Sequence, residues 1–275
     1  MPTTSEASRY QQLRSHLTYL RLADAAEALP AVLDAARTEN LTPTATLERL
    51  MRIEVDATET RRVAGRLRFA NLPTPATLED FDYDAQPGVD AHLIADLASG
   101  RYLDTATNIL LIGPPGVGKT MLAVGLIRQA AQAGHRAYFT TAADLAARCH
   151  RAAIEGRWAT TMRFYAGPAV IAIDELGYLP LPAEAAAALF QVVNQRYLKS
   201  SIILTTNRPI TQWGQVLGDN TIAAALLDRL LHRSVVIDIT GDSYRLRDHQ
   251  ARTQPLRRAA HASSTDISYP DPATQ

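Results

Sequence analysis

Only one cysteine, Cys149, occurs in the 275 residues, so no internal disulfide can form, and no CxxC or Cys/His cluster offers a structural metal site. Lysine is nearly missing: of 28 basic residues only Lys119 and Lys199 are lysines. That bias fits either planar phosphate recognition by guanidinium groups or the codon usage of a GC-rich genome, since alanine is abundant too; composition does not choose between them. Net charge is absent as well. At a formal charge of zero, the chain as a whole does not announce a nucleic-acid partner. No apolar run approaches the roughly 18 residues needed to cross a bilayer, which argues against a membrane partner. The opening "MPTTSEASRYQQLRSHL" lacks the apolar core of a secretion signal. The reducing cytoplasm is therefore the expected compartment. What is present, 47% hydrophobic and 20% charged residues, is ordinary for a folded soluble protein. A chain of this size can build its core without disulfide or metal staples.

Over the first ~70 residues the apolar spacing predicts short amphipathic helices and no strand-like alternation. Leu13, Leu17, Leu20 and Leu22 form one stripe. Leu29, Val32 and Leu33 follow a second start near Pro30, and Leu47, Leu50, Ile53 and Val55 form a third stripe after a start at Thr42-Pro43. The proline-punctuated, acidic stretch "NLPTPATLEDFDYDAQPGVD" (71–90) reads as a linker. Beyond it, apolar runs "NILLI" (108–112), "AYFTT" (137–141), "AVIAID" (169–174), "SIILTTN" (201–207) and "SVVIDI" (234–239) alternate with helical stretches. The helices are "TMLAVGLIRQAAQAG", closed by Gly134, then "AADLAARCHRAAIEGRW", "AEAAAALFQVVNQRYLK" and "TIAAALLDRLLHR". Such alternation predicts βαβ units around a parallel sheet. The expected organisation is a helical domain at 1–70, a linker at 71–90, an α/β core at 91–252 and a disordered tail at 253–275, rich in Ser, Thr and Pro.

The stretch "LIGPPGVGKTMLAVGLI" interrupts the core between the first predicted strand and its helix. It fits G-x-x-x-x-G-K-[ST] as Gly113, Gly118, Lys119 and Thr120, with Gly116 inside. Glycines allow backbone angles that turn successive N–H groups inward, and the following helix start adds partial positive charge. Lys119 then reaches the β- and γ-phosphates of a nucleotide, while the Thr120 hydroxyl ligates Mg²⁺. A magnesium nucleotide needs a second metal anchor and, for hydrolysis, a base. "AVIAIDEL" supplies Asp174 for the metal and Glu175 for the attacking water. Alone, such a pair is also what a solvated turn looks like; behind a phosphate loop it becomes specific.

Two further positions stay open between roles on local evidence. Asn207, ending "SIILTTN", is either the start of a turn before Arg208-Pro209 or a neutral amide for the γ-phosphate and the water. Arg229 and Arg233, one helical turn apart, are either a solvated charged face or an arginine finger for a neighbouring subunit's γ-phosphate. Arg61, Arg62, Arg66 and Arg68 in "RRVAGRLR", and more weakly the arginines of 244–258, are candidates for sequence-tolerant contact with DNA phosphates, ordinary exposed arginines being the alternative. Trp158, Trp213 and Tyr178 read as packing residues, Cys149 as core, and His16, His150 and His249 as isolated.

The longer blocks "LEDFDYDAQPGVD", "DELGYLPLPAEAAAALFQVVNQRY", "SIILTTNRP" and "LLDRLLHRSVVIDITGDSYRLRDHQ" are more specific than the phosphate loop. Through them, from about residue 9 to 250, the chain resembles IstB-like ATP-binding proteins. These are AAA+ helper ATPases encoded beside insertion-sequence transposases and related to replicative helicase loaders of the DnaC kind. The resemblance implies an α/β fold: an AAA+ P-loop NTPase core with a five-stranded parallel sheet between helices, a small all-α domain before it, and little or no helical lid. It makes Gly113, Pro114, Pro115, Gly116, Val117, Gly118, Lys119 and Thr120 Walker A, with Met121 a further cofactor-binding residue, Asp174 and Glu175 Walker B, and Asn207 sensor 1. Arg229 becomes the finger, with Arg233 second. Family members often carry His where Met121 stands, beyond the phosphate contacts. The implied cofactors are ATP and Mg²⁺. The implied partners are duplex DNA, a cognate transposase and further copies of the chain, assembled with ATP and released by hydrolysis. A helicase loader acting on single-stranded DNA is the alternative, since its core motifs are identical.

Overall fold

The computed structural model describes residues 5–178, 182–241 and 243–244. Contacts divide the chain into two units, Met1–Gly65 and Arg66–Gln275. In the first, helix α1 spans Glu6–Tyr19, α2 Ala23–Thr38 and α3 Pro43–Phe69, the last turn of α3 falling in the second unit. Ser5 caps α1 by accepting the Ser8 N–H, and Thr42 does the same for Ala45 ahead of Pro43, where a missing N–H costs nothing. Leu17, Leu29, Val32 and Leu50 form the small core. The expected helix start at Pro30 is not there: α2 runs through it. Pro30 sits on the exposed side while Ala25, Ala26 and Leu29 stay buried, so the lost hydrogen bond lies toward water. The third stripe is only half realised. Leu50 is buried, Leu47 and Val55 are exposed, and the buried slot beside Leu50 goes to a carboxylate, Glu54. That carboxylate accepts the Ala25 N–H at the start of α2 (3.0 Å), the Thr58 hydroxyl (3.3 Å) and Arg61 Nη2 (3.0 Å).

The second unit is built on five parallel strands, β1 Asn108–Ile112, β2 Ala137–Thr141, β3 Val170–Leu176, β4 Ser201–Thr206 and β5 Ser234–Asp238. Their order is β2-β3-β4-β1-β5. Helices α4 Ala91–Ala98 and α5 Arg101–Asp104 precede β1, and between the strands come α6 Lys119–Gln132, α7 Ala142–Ile154, α8 Trp158–Ala166, α9 Ala183–Arg196, α10 Trp213–Leu217 and α11 Asn220–Leu231. Ile109, Leu111, Leu122 and Ile127 pack one layer; Leu110, Leu145, Leu189, Trp213 and Leu226 pack the other. A sheet covered on both faces needs apolar residues on both, which is why the strands read as unbroken apolar runs. The long helix expected over 142–158 is two helices, broken at Gly156, whose φ of 68° no helix tolerates. Trp213 and Cys149 are core residues, and burial pushes the Cys149 thiol up to about 11, leaving it neutral and unreactive. Tyr178, expected to pack, is instead exposed.

Two features bear on the site. Residues 71–90 form no helix or strand, yet Leu78, Phe81 and Val89 are buried in the layer beside α6. Arg128 of α6 holds this segment by its main chain, Nε on Ala76 O (3.0 Å) and Nη2 on Thr74 O (3.2 Å). The outer edge of β2 is also taken: Phe139 N–H donates to Ala70 O (2.8 Å), and Asn71 Nδ2 donates to Phe139 O (3.0 Å). The expected tail, the arginines of 245–258 and His249 lie outside the described residues.

Glu54→Ala should lower the stability of the helical unit by ~2–3 kcal/mol, because it leaves a helix-start N–H unbonded in a core and a guanidinium without its carboxylate. Glu48→Ala, which removes only an exposed ion pair with Arg52, should cost under ~0.5 kcal/mol. Chemical denaturation of the two variants checks the contrast.

Candidate active site

The chain runs from β1 to β2 at one side of the sheet and from β4 to β5 at the other, so a crevice opens at the carboxyl ends of β1 and β4. The loop after β1 fills this switch point. Gly116 and Gly118 adopt φ of 87° and 95°, a region costly for any residue with a Cβ. A Cβ on Gly118 would also stand 2.5 Å from the Phe81 ring, and one on Gly116 would run into Ser243. Gly118 hands the chain directly to α6, whose N-terminal, positive end faces the loop. Lys119 Nζ bridges the loop's own carbonyls, Gly113 O at 2.8 Å and Pro114 O at 2.7 Å, which holds it across the nest.

Thr120, the second residue of α6, donates its hydroxyl to Asp174 Oδ1 (3.1 Å). Asp174 is 3% exposed on β3. A second hydroxyl, that of Thr205 on β4, donates to the same Oδ1. Thr205 Oγ1 in turn accepts the Glu175 N–H at 3.0 Å. Here the β3–β4 register breaks: Ile173 pairs with Leu204 and Leu176 with Thr206, so Asp174 and Glu175 face Thr205 alone. This is a β-bulge, and Glu175 carries its strain, with φ of 63° and an exposed side chain. Just past β4, Asn207 is half-buried, and its Oδ1 has no hydrogen-bond partner among the described residues. Lys119, Thr120, Asp174, Glu175 and Asn207, read from three separate stretches, thus come to one edge of the sheet.

Beside the loop lies a cavity of about 230 Å³. One wall is Phe81, Asp82 and Gln86 from the 71–90 segment; the other is residues 116–121 and Tyr244. Tyr244 N–H donates to Gly116 O (3.0 Å), closing the segment after β5 onto the phosphate loop. Asp80, at the rim, is held below the usual carboxylate range by the Thr77 N–H and then its hydroxyl, so it remains an anion.

The donor set fits a hard cation. A hydroxyl and a carboxylate oxygen in contact are the ligand types that Mg²⁺ takes when phosphates and water complete its shell. Among the described residues no cluster of three or more His, Cys, Asp or Glu could hold a metal alone.

The family described as IstB-like ATP binding protein matches residues 15–252. The chain belongs to that family. It is 37% identical over 244 residues to the ATP-binding protein of insertion sequence IS5376 of Geobacillus stearothermophilus, covering 89% of this chain and 97% of that one. To the IS21 ATP-binding protein of Pseudomonas aeruginosa it is 43% identical, over 68% of this chain and 71% of the relative. Among solved structures, AMPPCP-bound DnaA from Aquifex aeolicus has the same fold, with TM-score 0.54 and 18% identity over 67% of this chain and 56% of that chain. DnaI aligns with TM-score 0.51 and 18% identity, covering 60% of this chain and 92% of that one. The core is accordingly the AAA+ P-loop fold within an IstB-like chain.

Other residues singled out in this IstB-like sequence are placed less centrally. Arg229 lies on α11 with its guanidinium 4.9 Å over the Phe190 ring, Nε on Asn194 Oδ1 (2.9 Å) and Nη1 on Ala225 O (2.9 Å). Arg233 is exposed, its Nη1 donating to Thr105 O (3.3 Å) and its carbonyl accepting the Asn108 N–H (2.8 Å). Arg61 is engaged by Asp24 and Glu54, Arg62 by Glu59, and Arg66 Nε by Ala131 O; Arg68 is exposed. Sequence reasoning missed Thr205 and the Phe81 wall. Thr205 had a signal, a hydroxyl next to a second one in an otherwise apolar strand. It also missed Arg148, Arg151 and Arg157, which line one cavity on α7 and α8 with Phe164.

Gly118→Ala should weaken nucleotide binding at least tenfold, about 1.4 kcal/mol, from left-handed strain and collision with Phe81 together. Adding Phe81→Ala should not restore affinity, since the backbone strain remains. Titration with a fluorescent ATP analogue reads both.

Proposed function

We propose that this protein is an ATP-hydrolysing helper that assembles on duplex DNA, presents it to the transposase of its insertion sequence, and releases it on hydrolysis. The observation that carries the reading is the meeting of Lys119, Thr120, Asp174, Glu175 and Asn207 at one strand edge in a chain of the IstB-like family. In this reading residues 113–120 wrap the phosphates, and Lys119 exchanges its loop carbonyls for phosphate oxygens. Phe81 and Tyr244 flank the rest of the nucleotide. Thr120 and Asp174 would hold Mg²⁺, which would supply positive charge against the phosphates. The exposed Glu175 carboxylate polarises the attacking water, and the Asn207 amide orients water or γ-phosphate without adding negative charge. Water adds to the γ-phosphorus as its bond to the β-phosphate oxygen breaks, giving ADP and phosphate.

Arg229, followed by Arg233, is the finger for a neighbouring copy. A guanidinium already stacked and hydrogen-bonded needs little ordering when a phosphate arrives. Its contact with a γ-phosphate couples assembly to nucleotide state. For DNA, the arginines of 61–66 are largely committed within the chain. Positive charge is richer around α7 and α8, where Arg148, Arg151, Arg157 and Arg163 outnumber two acids, Asp144 and Glu155, and Arg148 is braced 4.0 Å over Phe164. We assign the phosphate contacts to this surface, with Arg68 as a further contact.

Random-sequence duplex should shift into large cooperative complexes with a non-hydrolysable ATP analogue. Glu175→Gln should bind ATP, hydrolyse it at least ~100-fold more slowly, and hold the shifted state. Hydrolysis at the wild-type rate would remove Glu175 from its role. A shift with single-stranded DNA alone would move the reading to a helicase loader. Arg148→Glu with Arg151→Glu should weaken duplex binding ~10-fold or more and flatten its salt dependence, whereas Arg61→Ala should leave the salt slope unchanged.

A further inference from the structure

Thr205 has no place in the phosphate loop, the acidic pair or the sensor position, yet it is 1% exposed and touches two of the proposed catalytic elements at once. Its surroundings fix what each of its atoms does. A backbone N–H can only donate, so the Glu175 amide gives its hydrogen to Thr205 Oγ1. An ionised carboxylate can only accept, so the Thr205 hydrogen goes to Asp174 Oδ1. One hydroxyl therefore joins, in a fixed direction, the main chain of Glu175 to the side chain of Asp174.

The bulge explains why this is needed. Side chains alternate across a regular strand, so neighbours such as Asp174 and Glu175 would face opposite sides of the sheet. Two residues opposed to one break that alternation and re-aim a side chain. The same irregularity takes the Glu175 N–H out of the strand ladder and puts a residue with a Cβ at φ of 63°. A left-handed residue persists only where its surroundings over-determine it. The Thr205 oxygen supplies that hold.

We propose that Thr205 is a positioning residue that locks the bulge of β3, so that Asp174 faces the metal and Glu175 faces the attacking water together. Thr205 and Thr120 both donate to Asp174 Oδ1. That leaves Oδ2 uncommitted to either hydroxyl, so that it would be able to accept from a metal's water shell. A lone lysine-and-loop site would bind phosphates without this hydroxyl; the metal-dependent part of binding and the water-activating step require it. The inference rests on the ATPase reading above.

The test compares Thr205→Val, which keeps the shape and removes the hydroxyl, with Thr205→Ser, which keeps the hydroxyl. Three readouts are used: ADP affinity in EDTA and across a Mg²⁺ titration, steady-state ATP hydrolysis, and hydrogen exchange of the Glu175 amide. Thr205→Val should bind ADP in EDTA within twofold of wild type, shift the Mg²⁺ midpoint upward by ~10-fold or more, and lower kcat by a similar factor. Thr205→Ser should return both to within about threefold of wild type, as expected for a role carried by the hydroxyl. The Glu175 amide should be protected in wild type and Thr205→Ser. Normal Mg²⁺ midpoint and kcat in Thr205→Val, or equal defects in both variants, would overturn the proposal. So would a wild-type Glu175 amide that exchanges as fast as an open loop, a measurement that needs no variant. If wild type fails to hydrolyse ATP, the functional reading falls, while the metal midpoint and the amide still report on Thr205.

Discussion

Asp174 is a carboxylate 3% exposed at the meeting point of three strand ends, and a buried negative charge is tolerated only where it is hydrogen-bonded. Here the donors are hydroxyls from two different elements, Thr120 at the start of α6 and Thr205 in β4. Satisfying that one group ties the start of α6, β3 and β4 together. The positive end of α6 lies at this junction and adds to the same charge balance. The site is therefore anchored to the sheet beneath it, whose inner strands are buried along most of their length.

The arginine bias finds much of its explanation in architecture. Arg128 fastens the 71–90 segment by two carbonyls, Arg66 takes Ala131 O, and Arg196, 1% exposed, takes Tyr165 O and Ser201 O, each at 2.7 Å. Burial with no carboxylate partner pulls the Arg196 guanidinium down to about 9, still charged at neutral pH. A planar fork reaches two carbonyls at set angles, which a lysine ammonium on a flexible stem does less well. The two lysines leave such work to arginine, and Lys119 is kept for the loop.

The phosphate loop and all five strands were legible because their signals are local: glycines at set spacing, and apolar runs that a doubly covered sheet requires. Asp174, Glu175 and Asn207 were readable for the same reason, since each ends such a run. What escaped was set by partners far along the chain. Phe81 faces Gly118, and Thr205 meets residues ~30 positions earlier, so neither role can be seen in a window of sequence. Pro30 misled because a proline on a helix's wet side sacrifices little. The stripe through Leu47 and Val55 misled because a buried glutamate, not an apolar side chain, fills its neighbour's slot.

The outer edge of β2 carries a last consequence. Outward-pointing main-chain groups recur at every second residue of a strand, and those of Phe139, at the centre of β2, are consumed by Ala70 and Asn71. At its midpoint that rim of the sheet is closed to pairing with a foreign strand, the route by which open sheets stick to one another. A strand arriving from elsewhere would find the middle of β2 already paired by its own chain.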